Sequence, residues 1–150
     1  MCEKMVALVP GGEDRFGERR TTGVNSTDFK VSAQDSNGGL FVMEVTNRKK
    51  GGPSRHLHHN EDEWFYLIEG EYIVEVGEKF FRLRPGDSIL AHREVPHAWA
   101  FVGDAQGKLL IAFAPANRIE ELFSNRPIRN DTEVLRAHGA EIVGPPLSVE

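Results

Sequence analysis

The chain has 150 residues, a formal net charge of −5, and 39% hydrophobic and 27% charged residues. That is enough for one full hydrophobic core, with acids and bases too evenly mixed for a phosphate-tracking surface. No run approaches the roughly 18 apolar residues of a membrane span, and the opening MCEKMVALVPGGEDR is too short in its apolar part and too acidic around it for a signal peptide. The expected protein is cytoplasmic, with neither nucleic acid nor membrane as partner, and the single cysteine, Cys2, leaves no internal disulfide to form.

Residues 1–25 carry Gly11, Gly12, Gly17 and Gly23 among charges, which predicts an arm or one edge strand. Residues 26–116 read as a β-barrel. From Phe29 onward, short segments rich in β-branched and aromatic residues alternate with turn signals: FKVSA, LFVMEVT, SRHLH, EWFYLIE, EYIVEVG, KFFRLR, DSILA, HAWAFV and KLLIAFA. The punctuation is DSNGG before Leu40, KKGGP at 49–53, Gly77-Glu78 as a two-residue hairpin, RPGD at 84–87 and GDAQG at 103–107. Strands at this spacing predict an all-β sandwich or barrel. Residues 117–150 change character and read as a helical segment and tail packed on the barrel. ANRIEELFSN predicts a short helix with Asn117 as N-cap and Glu120 completing the cap, and DTEVLRAHG a second one from Asp131 to Gly139.

The segment SRHLHHNEDEWFYLIEG, residues 54–70, places three of the six histidines beside three acids. His56 and His58, two apart on a strand, share a face at about 6.5–7 Å separation and can converge on one ion. HNED then turns the chain back as an antiparallel strand. Glu61, Asp62 and Glu63 compete as the carboxylate. Glu63 opens an apolar strand in which Glu63, Phe65 and Leu67 share one face, so its charge requires a partner, and a cation held also by His56 and His58 supplies one. Glu61 and Asp62 fall in the turn and are expected to be solvated. Further on, His97, Trp99 and Phe101 alternate on one face of HAWAFV.

These residues resemble the first motif of the cupin superfamily: His-x-His, four residues, Glu, six residues, Gly, here His56, His58, Glu63 and Gly70. The second motif is altered. Gly86 and His97 fit it, while His92 stands in place of Pro, Glu94 in place of Gly and Phe101 in place of Asn. With GGLFVMEVT, GGPSRHLHH and HGAEIVGPPL, the chain from about Lys30 onward is similar to small single-domain bacterial cupins of the quercetin-dioxygenase-like type. The resemblance implies a double-stranded β-helix, or jelly-roll barrel, with short C-terminal helices, often dimeric. It also implies one divalent transition metal held inside the barrel by His56, His58, Glu63 and His97.

Three imidazoles and a carboxylate suit iron, manganese, nickel, cobalt, copper or zinc and leave open positions for a substrate. The function expected from the resemblance is a metal-dependent dioxygenase or related oxidoreductase on a small aromatic or enol substrate. In it Glu63 acts as ligand and proton acceptor, and Phe65, Trp99 and Phe101 line the pocket. The alternatives are a metal-containing small-molecule binding module without turnover, and a non-oxidative isomerase or lyase using the metal as Lewis acid. His92, Arg55 and Arg82 are expected on the surface. Trp64, Tyr66 and Ile68 form an apolar row on the face opposite Glu63, which a second copy in a homodimer, or the N-terminal segment of the same chain, is expected to cover.

Overall fold

The alternation of inward and outward side chains along β5 (Asp62–Glu69) explains how the barrel is layered. Glu63, Phe65 and Leu67 are buried, whereas Trp64 and Tyr66 are half-buried on the outer face and Ile68 is exposed. A computed structural model describes residues 8–22, 25–124 and 131–149. Cys2 and the other residues of the opening segment up to residue 7 lie outside the described residues.

Two antiparallel sheets face each other. The first has six strands in the order β1 (Arg20–Thr22), β2 (Asn25–Val31), β3 (Phe41–Asn47), β10 (Gly107–Ala114), β5 and β8 (Ser88–Ala91). The second has five, in the order β11 (Ala140–Pro146), β4 (Ser54–His58), β9 (His97–Phe101), β6 (Tyr72–Val76) and β7 (Lys79–Leu83). Phe29, Phe41, Phe65, Leu67, Leu109, Ile111 and Phe113 from the first sheet meet Tyr72, Val74, Trp99 and Phe101 from the second to form the core. The expected all-β double-stranded β-helix is therefore present, with two short helices, α1 (Ile119–Ser124) and α2 (Thr132–Ala137). Among the described residues, no helix is long and apolar enough to cross a membrane.

Two features of the C-terminal third differ from the sequence reading. The segment EIVGPP, read as part of a tail, pairs with β4 as strand β11, with Ala140 opposite His58 and Ile142 opposite His56. Its prolines are tolerated because β11 is an edge strand. Asn117 does not cap α1. It sits in a turn with φ of 45°, and its side chain points back to the β4–β5 turn instead. Asp131 does cap α2, accepting from the backbone N–H groups of Glu133 and Val134. Glu120 ties α1 to the turn at Ala33–Ser36, accepting from Ser32 Oγ at 2.9 Å and Ala33 N at 2.7 Å. Glu120 thus holds α1 against the β2–β3 connection, and His138, at the end of α2, lies 3.0 Å from Glu121 of α1.

Candidate metal centre

The strands that carry the four candidate ligands are neighbours by topology. His56 and His58 sit on β4, His97 lies directly opposite His56 on β9, and Glu63 enters from β5 of the facing sheet. One ligand atom from each lies within 4.8 Å of the others. Glu63 Oε1 is 3.2 Å from His58 Nε2 and Glu63 Oε2 is 3.2 Å from His97 Nε2. Neither contact is directed as a hydrogen bond, and both Nε2 atoms are buried without a hydrogen-bond partner. Buried polar atoms are ordinarily satisfied. Two orphaned imidazole nitrogens aimed with a carboxylate at one point form the donor set of a divalent transition metal, and the residues fit such an ion.

The electrostatics agree. Burial alone would raise the Glu63 carboxyl, but attraction by His97 and His58 outweighs it and holds the group well below the usual carboxylate range. Burial and the neighbouring His97 push His56 down to about 4, so its imidazole is neutral and ready to coordinate. His97 is lowered by burial and raised more strongly by Glu63, leaving it above its ordinary value. Without a metal the cluster thus rests on a His97–Glu63 ion pair.

The ring nitrogens away from the centre are held unequally. His56 Nδ1 lies 2.7 Å from the Ser54 carbonyl and His97 Nδ1 lies 3.1 Å from that of Val95, which orients both rings with Nε2 inward. The loop before His97 keeps its shape despite its altered motif. Glu94, where the cupin motif has glycine, adopts a φ of 67°, and its N–H donates to the His58 carbonyl at 2.6 Å. His92 is exposed, as expected. Arg55 and Arg82 are engaged away from the cavity, Arg55 with Glu75 and the Gly77 carbonyl and Arg82 with Glu71.

A cavity of about 380 Å³ opens onto the cluster. His56, His58 and Glu63 line it together with Met43, Val45 and Ile111 of the first sheet and Trp99 of the second. Leu122, Phe123, Leu135 and Ile142 lie at its helical end. Trp99 is in the lining, whereas Phe65 and Phe101 are not. Phe65 is fully buried behind the site with its ring 5.8 Å from that of His97. Phe101 lies against Tyr72 at 5.3 Å, in space left open by Gly103 and Gly107, where a Cβ would come within 3 Å of its ring. Two-residue alternation shows which face a strand presents. It does not show how deep along the barrel a residue lies, and that depth separates Trp99 from Phe101.

Glu61 also departs from expectation. It is 2% exposed rather than solvated, and its Oε2 accepts from Asn117 Nδ2 at 2.5 Å. Burial raises its carboxyl, against the pull of Asn117 and His58. Asp62 does stay near the surface, paired with Arg93 at 3.2 Å.

Comparison with known proteins agrees with this architecture. Residues 42–113 match the cupin domain family. Polyketide synthase CurC of Streptomyces cyaneus is 27% identical over 67% of this chain, which spans 61% of that relative's length. Among solved structures, KdgF from Halomonas sp. aligns with a TM-score of 0.63 at 17% identity, covering 74% of this chain and 94% of its own. A predicted oxalate decarboxylase from Thermotoga maritima aligns with a TM-score of 0.59 at 16% identity, covering 65% of this chain and 90% of its own. The domain match over β3 to β10, on a double-stranded β-helix with a convergent His/Glu cluster, makes this barrel similar to the cupin domain family.

Proposed function

We propose that the protein is a metal-dependent oxidoreductase of the dioxygenase kind, acting on a small aromatic or enol compound bound as a monoanion. The charge of the cavity carries this reading. Among the described residues no lysine or arginine lines it, its walls are mainly Met43, Val45, Ile111, Trp99, Leu122 and Phe123, and its second carboxylate, Glu141, is partly exposed and lies 3.3 Å from His59 rather than in the cluster. A divalent ion beside one carboxylate, Glu63, has one unit of positive charge left, which a single enolate or phenolate oxygen neutralises. A dicarboxylate would leave an uncompensated charge among apolar walls, at a cost of several kcal/mol.

A metal bound here supplies a Lewis acid that favours the ionised enol and a route for electrons to an oxidant. The chain's own part is to hold and shield. Trp99 and the apolar walls bury a flat substrate skeleton. Glu63, pulled to its ionised form by His97 and His58, stays negative and sits beside the reacting oxygen. Leu122, Phe123 and Leu135 keep water from the helical end of the cavity. The likeness to a protein named as a polyketide synthase supports a substrate rich in phenol and enol oxygens.

The test is anaerobic titration of iron-, nickel- or cobalt-loaded protein with a flavonol, a catechol and oxalate, read by the metal's absorption spectrum, followed by exposure to oxygen. The enol ligands should perturb the spectrum and oxalate should not, and oxygen should then consume the bound enol. Perturbation by oxalate alone would overturn the substrate class. Turnover without oxygen would move the protein to non-oxidative, Lewis-acid chemistry.

A further inference from the structure

Glu61 is the buried charge that the proposed chemistry leaves unexplained. One of its oxygens is held by Asn117, whose amide also reaches the Asn60 carbonyl at 3.4 Å. The other, Oε1, is buried without a hydrogen-bond partner. His58 Nδ1 is in the same condition. It is the exception among the three histidines, since His56 and His97 each direct Nδ1 at a backbone carbonyl. A histidine that binds a metal through one ring nitrogen ordinarily donates the other N–H to a carboxylate, a carbonyl or a water, which fixes its tautomer and raises its basicity. Glu61 and His58 stand at the two ends of the β4–β5 turn, and a buried imidazole with one free nitrogen and a buried carboxylate with one free oxygen are a matched donor and acceptor.

We propose that Glu61 is a positioning residue for the metal centre, taking the Nδ1–H of His58 through one bridging water while Asn117 holds its other oxygen. The proposal rests on the metal-binding reading of the four-residue cluster. His58 is then the one ligand with an anionic outer partner, and Asn117, contributed by the turn before α1, couples that partner to the helical end of the cavity. The sign of the effect separates this role from simple packing. In the metal-free protein a buried, half-satisfied carboxylate is a burden on stability. Once a cation withdraws charge from His58, its Nδ1–H becomes a stronger donor and the same carboxylate becomes an asset.

Cobalt(II) titration of the wild type and of Glu61→Gln, with thermal melting of both metal-free forms, reads the two effects separately. We expect the variant to bind cobalt about 10–100-fold more weakly while its metal-free melting temperature is unchanged or higher. Among the exchangeable, paramagnetically shifted imidazole N–H signals of the cobalt protein, the one belonging to His58 should move and those of His56 and His97 should hold. Equal affinity with unmoved signals would overturn the proposal, as would a fall in metal-free stability that accounts for the lost affinity. Should Glu61→Gln not fold, Asn117→Ala frees the carboxylate without removing its charge, and should shift the same signal with a smaller loss of affinity. Failure of the wild type to bind cobalt would overturn the metal reading itself, and this proposal with it.

Discussion

His56 and His97 face each other as the register pair that joins β4 to β9, with ring centroids 4.5 Å apart. Their electrostatic situations are opposite. His56 is neutral because of burial and its cationic neighbour, whereas His97 is the partner of Glu63. Alanine at either position should reduce metal affinity by more than about 100-fold, beyond the range of outer-shell changes. The metal-free proteins should differ. His97→Ala strands the buried Glu63 carboxylate and should cost about 3–5 kcal/mol, while His56→Ala removes no ion-pair partner and should leave stability nearly unchanged. Urea unfolding after chelation, beside elemental analysis, distinguishes the two. Equal destabilisation would show that the ion pair does not organise the empty cluster.

Metal removal has a calculable thermal signature. Free metal at 100 times its dissociation constant stabilises the folded state by about 2.7 kcal/mol, and at roughly 2–4 °C per kcal/mol for a chain of this size the melting temperature should fall by about 5–10 °C on chelation. Calorimetry with and without a chelator measures it, and the shift should vanish in His56→Ala.

Gly52 lies against β9 next to the site. A Cβ built there would stand 1.8 Å from the Trp99 carbonyl oxygen and 2.8 Å from its carbon, so backbone rather than a movable side chain would have to yield. Gly52→Ala should destabilise by about 3 kcal/mol or more, the upper end of overpacking costs. It should also weaken metal binding, because the strand that shifts carries His97. Retention of full metal affinity with lowered stability would show that β9 yields without moving its histidine.

Asp14 is the acid whose titration the fold should feel. Burial would raise its carboxyl, but N–H groups of Phe29, Phe16 and Glu18, together with Arg20, bring it below its ordinary value. The Phe29 N–H donates at 2.6 Å, and the Arg20 guanidinium lies over the Phe29 ring at 3.6 Å. A depressed folded value means that the contribution is present above the unfolded carboxyl pKa, near 3.9, and is lost as pH falls through the folded one. Asp14→Asn should therefore cost about 1.5–3 kcal/mol at neutral pH, with the gap to wild type closing as pH falls below the ordinary carboxylate range. A gap independent of pH, in urea unfolding at several pH values, would locate the effect in packing instead.

Much of the site was legible because its signals are local and redundant. The His56/His58 spacing sets two rings on one strand face, the HNED turn returns the chain, and alternation buries Glu63 with Phe65 and Leu67. What escaped depends on long-range depth and closure. Phe101 has the right parity for the cavity but lies too far along β9, and Glu61 looks like a turn acid until Asn117, far along the chain, covers it. EIVGPP hid its strand behind a glycine and two prolines that only an edge position permits. Glu94 conceals a left-handed backbone behind a side chain that gives no hint of it.

The pairing of β11 with β4 also bears on timing. The strand bearing His56 and His58 is flanked on one side by β9 and on the other by a segment that leaves the ribosome long after it. Such sequence-distant closures are slow steps in β folding, so during synthesis β4 has an open flank and its histidines wait on an unfinished wall. A nascent chain stalled before residue 140 should therefore bind cobalt more weakly than one that includes β11.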